Sequence, residues 1–261
     1  MISPSDAAQA LDRYIRPDTF PLGIRVERDP SKIPEKARRP KRDMGVTLSI
    51  CQGISIARRY GWTVAMAGED LSCPIAQVAF GFEAPSPTYA SGALAQGMYV
   101  EDFDAARRTE GAIPRTPLEE SGVVLAAPLA RATFEPEIVV VYGNSAQVMV
   151  MVAAALYRTG GSITSEFSAR ADCAEIINRT RQTGEPQVIL PCYGDRVFGQ
   201  TQDHEMAFTL PGSRLEAFVA GLEGASKGGV RYPVPHFLRY QAHYPDKYNQ
   251  VMGEFEARRN G

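Results

Sequence analysis

The sequence predicts an α/β or α+β fold: a mixed sheet flanked by helices, two related β-α-β-α halves in one compact unit over residues 1–261. Three observations predict it. EIVVVYG (137–143) is an apolar run of strand length that passes directly into a helix-patterned stretch, 145–158. PQVILPCYG (186–194) is a second buried-strand pattern closed by glycine. Finally, residues 49–77 and 146–177 share a layout: a helix of small and apolar residues ends near Tyr and Gly, a short β-like run follows, and a cysteine opens the next helix. These stretches outline an internal repeat over 20–82 and 136–194.

Residues 4–16 carry Ala7, Leu11 and Ile15 at helical spacing behind Ser5 or Asp6 as N-cap, and read as a short amphipathic helix. PLGIRVER (21–28) alternates Leu22, Ile24 and Val26 as a strand. KIPEKARRPKRDM (32–44) holds six basic residues and two prolines, reads as an exposed loop, and looks like an insertion in the first half. A helix over 47–60, a strand over 63–68 and a helix from Pro74 follow, proline being well placed at a first helical position. The segment 83–122 is irregular, with one short helix near 101–108. VVLAAPL (123–129) is a strand and SITSEFSA (162–169) a β-like run. Helix 173–182, strand 206–212 and helix 213–229 complete the second half. The last 30 residues are aromatic and proline-punctuated, predicted to wrap the surface and close with a short helix.

Composition narrows the function. Apolar content of 44% and charged content of 22% are those of an ordinary globular chain with a sizeable core. A net charge of −2 leaves no global electrostatic footprint for nucleic acid. No run of 18 apolar residues suggests a membrane span, and the start lacks the pattern of a secretory signal, so a cytoplasmic, reducing location is expected. Four cysteines are too few for a disulfide framework in such a chain. No GxGxxG, Walker A, GxSxG or HExxH pattern supports the common nucleotide, hydrolase or zinc-protease chemistries.

The cysteines themselves are the candidate site. Cys73 precedes Pro74 and reads as an N-cap; Cys173, after Asp172, reads the same way. A helix start favours thiolate, so both are biased towards chemistry or metal binding. Cys192 ends a buried strand just before Gly194, and Cys51 lies within the first helix of the repeat. Four thiolates are the complement of a tetrahedral zinc or an iron–sulfur cluster, although no C-x₂-C pair is present. A second constellation, PCYGDRVFGQTQDHE (191–205), offers Asp195, Arg196 and His204 as catalytic or substrate-orienting candidates. Regular alternation would place Asp203 and Glu205 on one face and His204 on the other. The basic loop could steer an anionic substrate; His236 and His243 read as surface packing.

The stretches PLGIRV, 51–82, 160–177 and 187–211 resemble the bacterial and archaeal family catalogued as domain of unknown function 169, over about residues 8 to 225. The resemblance implies that Cys51, Cys73, Cys173 and Cys192 occupy recurrent family positions and share a site; it implies no activity. The expectation is a site at the interface of the halves that holds an iron–sulfur cluster or other thiophilic metal for redox or metal-assisted chemistry, with a small-molecule substrate or redox partner. Two alternatives stand beside it. One is a metal-free thiol enzyme or sulfur carrier with Cys73 or Cys173 as nucleophile. The other is a non-catalytic binding or regulatory module.

Overall fold

Alternating apolar side chains sort the strands of this chain into one sheet with a packed layer on each face. The computed structural model describes residues 2–234 and 242–260, so His236 lies outside the described residues. The strands are β1 (Leu22–Glu27), β2 (Val64–Met66), β3 (Val123–Pro128), β4 (Ile138–Gly143), β5 (Gln187–Ile189) and β6 (Met206–Pro211). They form a single sheet in the order β2-β3-β1-β4-β6-β5. Each ladder is antiparallel, with Leu22 opposite Val140 at the central β1–β4 pair. Parallel pairing occurs as isolated bridges, Arg38 with Val64 and Leu48 with Leu71. The architecture is thus the mixed α and β class expected, at its α+β end.

The helices are α1 (Pro4–Tyr14), α2 (Ile50–Tyr60), α3 (Pro74–Ala79), α4 (Pro87–Ala90), α5 (Phe103–Ala112), α6 (Ser145–Ala155), α7 (Asp172–Ala174), α8 (Thr180–Thr183), α9 (Tyr193–Phe198), α10 (Leu215–Lys227) and α11 (Asp246–Asn260). A π turn, Glu175–Arg179, joins α7 to α8 as one helical run. On one face, Leu22, Ile24, Val140 and Tyr142 pack against Ile50 and Ile54 of α2 and against Ile176 and Ile177. On the other, Val139, Val141 and Phe208 pack against Val148 and Met151 of α6, Phe218 of α10 and Leu11 of α1. Neighbouring residues of β4 serve opposite layers, as the two-residue strand period requires.

This layering corrects one expectation. Helices α2 and α6, which share a place in the sequence layout, cover opposite faces of the sheet, although both follow a central strand. The helix that lies on the α2 face and leads into the opposite edge strand is the run 172–183. Both α2 and this run end on a left-handed glycine, Gly61 (φ 73°) and Gly184 (φ 64°), where a side chain would be strained. The edge strands β2 and β5 begin shortly after each.

The run 162–169 forms no strand. Ile163 packs into the α6 layer, and the Ser165 hydroxyl accepts the Val188 N–H of edge strand β5 at 2.9 Å. A side chain thereby takes a backbone group that a further strand would have needed. The basic stretch 32–44 also differs from a free loop. Lys32 is paired with Glu27 (3.6 Å), Arg39 with Asp70 (2.7 Å) and with Glu69, and Arg42 with Asp43 (2.7 Å). Arg38 lies 4.1 Å over the Trp62 ring. Half of its cations are therefore ion-paired at home, which weakens it as a surface for steering anions.

Candidate functional site

Two buried cross-links tie together the segments that carry the cysteines. Arg58 of α2 is 1% exposed and donates through Nη1 and Nη2 to the Glu205 carboxylate at 2.6 and 3.0 Å, with Thr201 Oγ1 at 3.1 Å. Its guanidinium also lies 4.0 Å over the Tyr142 ring. This pins α2 to the loop between α9 and β6. The second link is Asn178, whose amide donates to the carbonyls of Ala79 (2.8 Å) and Pro114 (3.1 Å) and accepts from Thr116 Oγ1 (3.0 Å). It fixes the end of α3 against the 172–183 run. Both links are buried and fully hydrogen-bonded, the condition under which polar groups in a core hold one arrangement.

Each cysteine sits at a helix start. Cys51 is the second residue of α2, Cys173 the second of α7, while Cys73 and Cys192 are the N-caps of α3 and α9. In α2, Ser49 and Gln52 form a reciprocal cap: Ser49 Oγ accepts from the Gln52 N–H at 3.2 Å and Gln52 Oε1 from the Ser49 N–H at 2.9 Å. Such a cap is worth about 1 kcal/mol. The Ser49 hydroxyl is also 2.9 Å from the Cys51 sulfur, orienting that thiol. Cys73 is an N-cap as the sequence predicts; Cys173 is two residues beyond one, because Ala171 is the N-cap of α7.

All four cysteines line one cavity of about 600 Å³. Its apolar wall includes Ile75, Met98, Tyr99 and Phe198, and Arg170 and Asp172 complete the polar side. Arg170 is spent on Glu110 (2.8 Å) and on the Tyr99 ring, 4.7 Å away. Met98 and Phe198 are 76% and 60% exposed, which places them at the mouth.

The electrostatics reverse the expectation of a helix-stabilised thiolate. Burial pushes the Cys51 and Cys192 thiols far up, and Cys51 is raised further by Asp195, Cys192 by Asp172. Cys173 keeps part of its surface open, yet its thiol is enclosed by protein and is likewise raised, by burial first and then by Asp172. The positive end of a short helix does not offset desolvation and two nearby carboxyls. These three groups are neutral thiols at pH 7.

The carboxyls are Asp172 and Asp195, 1% exposed each. Asp195 Oδ2 accepts from Thr201 Oγ1 at 2.9 Å and from the Tyr142 hydroxyl at 3.4 Å. Burial raises its pKa, and hydrogen bonds together with Arg58 oppose the rise. Asp172 is raised well above the ordinary carboxyl range, first by burial and then by Asp195. Its side chain interacts by hydrogen bonding with the Asp195 carboxyl and with the Cys192 thiol.

Of the catalytic candidates Asp195, Arg196 and His204, Asp195 alone belongs to this neighbourhood. Arg196 donates to the Gln202 carbonyl (2.8 Å), and His204 and Asp203 are exposed in a turn before β6. The alternation imagined for 203–205 does not arise, because these residues precede the strand. Tyr99, Met98 and Arg170 escape sequence reading because their segments carry no regular period. Asp172 is visible beside Cys173 but reads as a helix-start acid.

Among the described residues, no three His, Cys, Asp or Glu side chains form a group that could hold a metal ion, and no helix is long and apolar enough to cross a membrane.

No solved structure matches this chain. The chain is 29% identical over 124 residues to the uncharacterized protein MJ0308 of Methanocaldococcus jannaschii, a match that covers 47% of this chain and 53% of the relative. The chain thus spans about half the length of that curated relative. The model of domain of unknown function 169, described as an uncharacterised ArCR family, matches residues 10–221. With the stretches that carry the cysteines all inside that match, the chain belongs to this family.

Proposed function

We propose that the cavity holds an iron–sulfur cluster or another thiophilic metal group on Cys51, Cys73, Cys173 and Cys192, for redox or metal-assisted chemistry. One observation carries the reading: every cysteine of the chain, from four separate elements, lines the same cavity. Cysteines that served only as small core hydrophobes would scatter through both apolar layers. Among the described residues no three donors are placed to share a single ion, so the reading rests on the shared cavity and not on a preformed ligand set. A metal group supplies positive charge that lets buried thiols release their protons, so binding would be coupled to proton release. The residues' own part is to present sulfur from four directions and to exclude water with Ile75, Tyr99 and the half-covered mouth.

We also read the two halves as related copies, each giving one cysteine at a second helical position and one at an N-cap. Cys51 then corresponds to Cys173, and Cys73 to Cys192. The support is that β1-β2-β3 and β4-β5-β6 both run central, edge, intermediate strand about the antiparallel β1–β4 pair. The metal-free alternative is weakened at Cys173, whose thiol is raised by burial and Asp172, since the thiolate is the nucleophile.

Protein prepared without oxygen, analysed for iron and acid-labile sulfide and scanned in the visible range, tests the reading. Bound iron and sulfide, lost in Cys51→Ser and Cys192→Ser, is the expected result. Colourless protein that takes up neither during anaerobic reconstitution with ferrous iron and sulfide overturns it.

A further inference from the structure

We infer that the outer part of the cysteine cavity binds an uncharged aromatic small molecule against Met98, Tyr99 and Phe198. The inference rests on the reading of this cavity as the functional site, and not on which group the cysteines hold. A volume of about 600 Å³ is that of a site for a whole organic molecule, and a metal group on the sulfurs would occupy only part of it. Cys51 and Cys192 are buried, whereas Met98 and Phe198 are mostly open to solvent, so these two sulfurs lie inwards and the apolar side chains outwards. Single exposed apolar side chains are ordinary on a protein surface, but a group of them around the mouth of a cavity marks a binding site.

The wall decides the charge of the ligand. Its one cation, Arg170, donates Nε and Nη2 to Glu110 Oε1 at 3.1 and 2.8 Å, and Nη2 also to the Leu94 carbonyl at 3.1 Å. Its one carboxyl, Asp172, is joined to Asp195 and to the Cys192 thiol. An anion therefore meets no free cation and a cation no free carboxylate, so either would leave water without compensation. The Tyr99 ring already carries the Arg170 guanidinium, 4.7 Å from its centroid, which removes it as a seat for a second cation. Through these same bonds Arg170 anchors the irregular segment that brings Met98 and Tyr99 to the cavity. What the outer wall offers is the rings of Tyr99 and Phe198 and the polarizable thioether of Met98, surfaces that favour an aromatic ring.

Titration calorimetry of the full chain at pH 7 with naphthol, naphthoate and naphthylmethylamine, one ring system carrying three charges, tests this. Iron and sulfide are measured on the same preparation, so that failure of the metal reading is seen separately. The neutral naphthol is expected to bind about tenfold more tightly than either ion. Phe198→Ala and Met98→Ala, both at positions exposed enough to leave the fold intact, are each expected to weaken naphthol binding about fivefold. No binding of naphthol, an equal or higher affinity for either ion, or a naphthol affinity unchanged in both variants overturns the inference.

Discussion

Asp172 shows how a single residue can be costly for the fold and informative about the site. A carboxyl buried beside a second carboxyl is costly to ionise, because two like charges are brought together out of water. Because its pKa is raised on folding, the native state retains a proton that the unfolded chain releases. Stability from this group is then complete below the ordinary carboxyl value, about 3.9, and is lost as pH rises towards the folded-state pKa. Asp172→Asn, which cannot ionise, escapes that loss. The metal-free variant is expected to exceed wild type in stability at pH 8, by roughly 1–3 kcal/mol, with the gap narrowing at pH 5. Urea denaturation at the two pH values checks this; a gap that is constant or widens on acidification contradicts it. Arg58 is the opposite case. It is just as buried, but Glu205, Thr201 and Tyr142 surround it, so its burial fixes the loop beside Asp195 instead of storing instability.

Among elements, legibility followed the strength of the local pattern. Strand β4 and helix α6 could be read because Val139, Val140 and Val141 form an apolar run and Asn144 accepts the N–H groups of Ala146 and Gln147 at 3.0 Å as an N-cap. The run 162–169 misled because alternation looks the same whether its polar side chains face water or cap a neighbouring strand, as Ser165 does. Which face a helix covers was not legible either: α2 and α6 each follow a central strand, and only long-range packing separates their layers. The α6–α10 contact depends on one residue with no sequence signal of its own, Gly221, where an added Cβ would stand 2.0 Å from the Ala154 carbonyl oxygen. Gly221→Ala must push two helices apart, so it is expected to destabilise by about 1–3 kcal/mol, outweighing the roughly 1 kcal/mol gain in helix propensity. Gly111 in α5 has open space around it, and Gly111→Ala is expected to be neutral or stabilising by up to about 1 kcal/mol. Thermal unfolding of both variants separates backbone contact from propensity; equal effects would contradict the close approach at Gly221.

At the scale of the molecule, the cysteines were legible as a set, but the way they converge was not. Spacing offered no close pair, and the cavity exists because Arg58–Glu205 and Asn178 tie elements more than 90 residues apart in sequence. The same view separates what the sheet needs from what it carries. The last side chain of the core region to find a place is Tyr232, packed on the α6 layer with its hydroxyl accepting from Asn144 Nδ2 at 3.3 Å. Beyond it, α11 is exposed along its described side chains, with Tyr248, Val251 and Phe255 open to solvent. Apolar burial is the main source of stability, and α11 contributes none to either layer. A chain ending at Ala242 is therefore expected to melt within about 2 °C of the full chain, well under the shift that a loss of 1 kcal/mol would cause in a protein of this size. The cavity lies wholly on elements that the shortened chain retains, so any metal binding should persist as well. Calorimetric melting of the two chains side by side gives the result, and a drop of several degrees on truncation would mean that the tail helix does dock on the body of the protein.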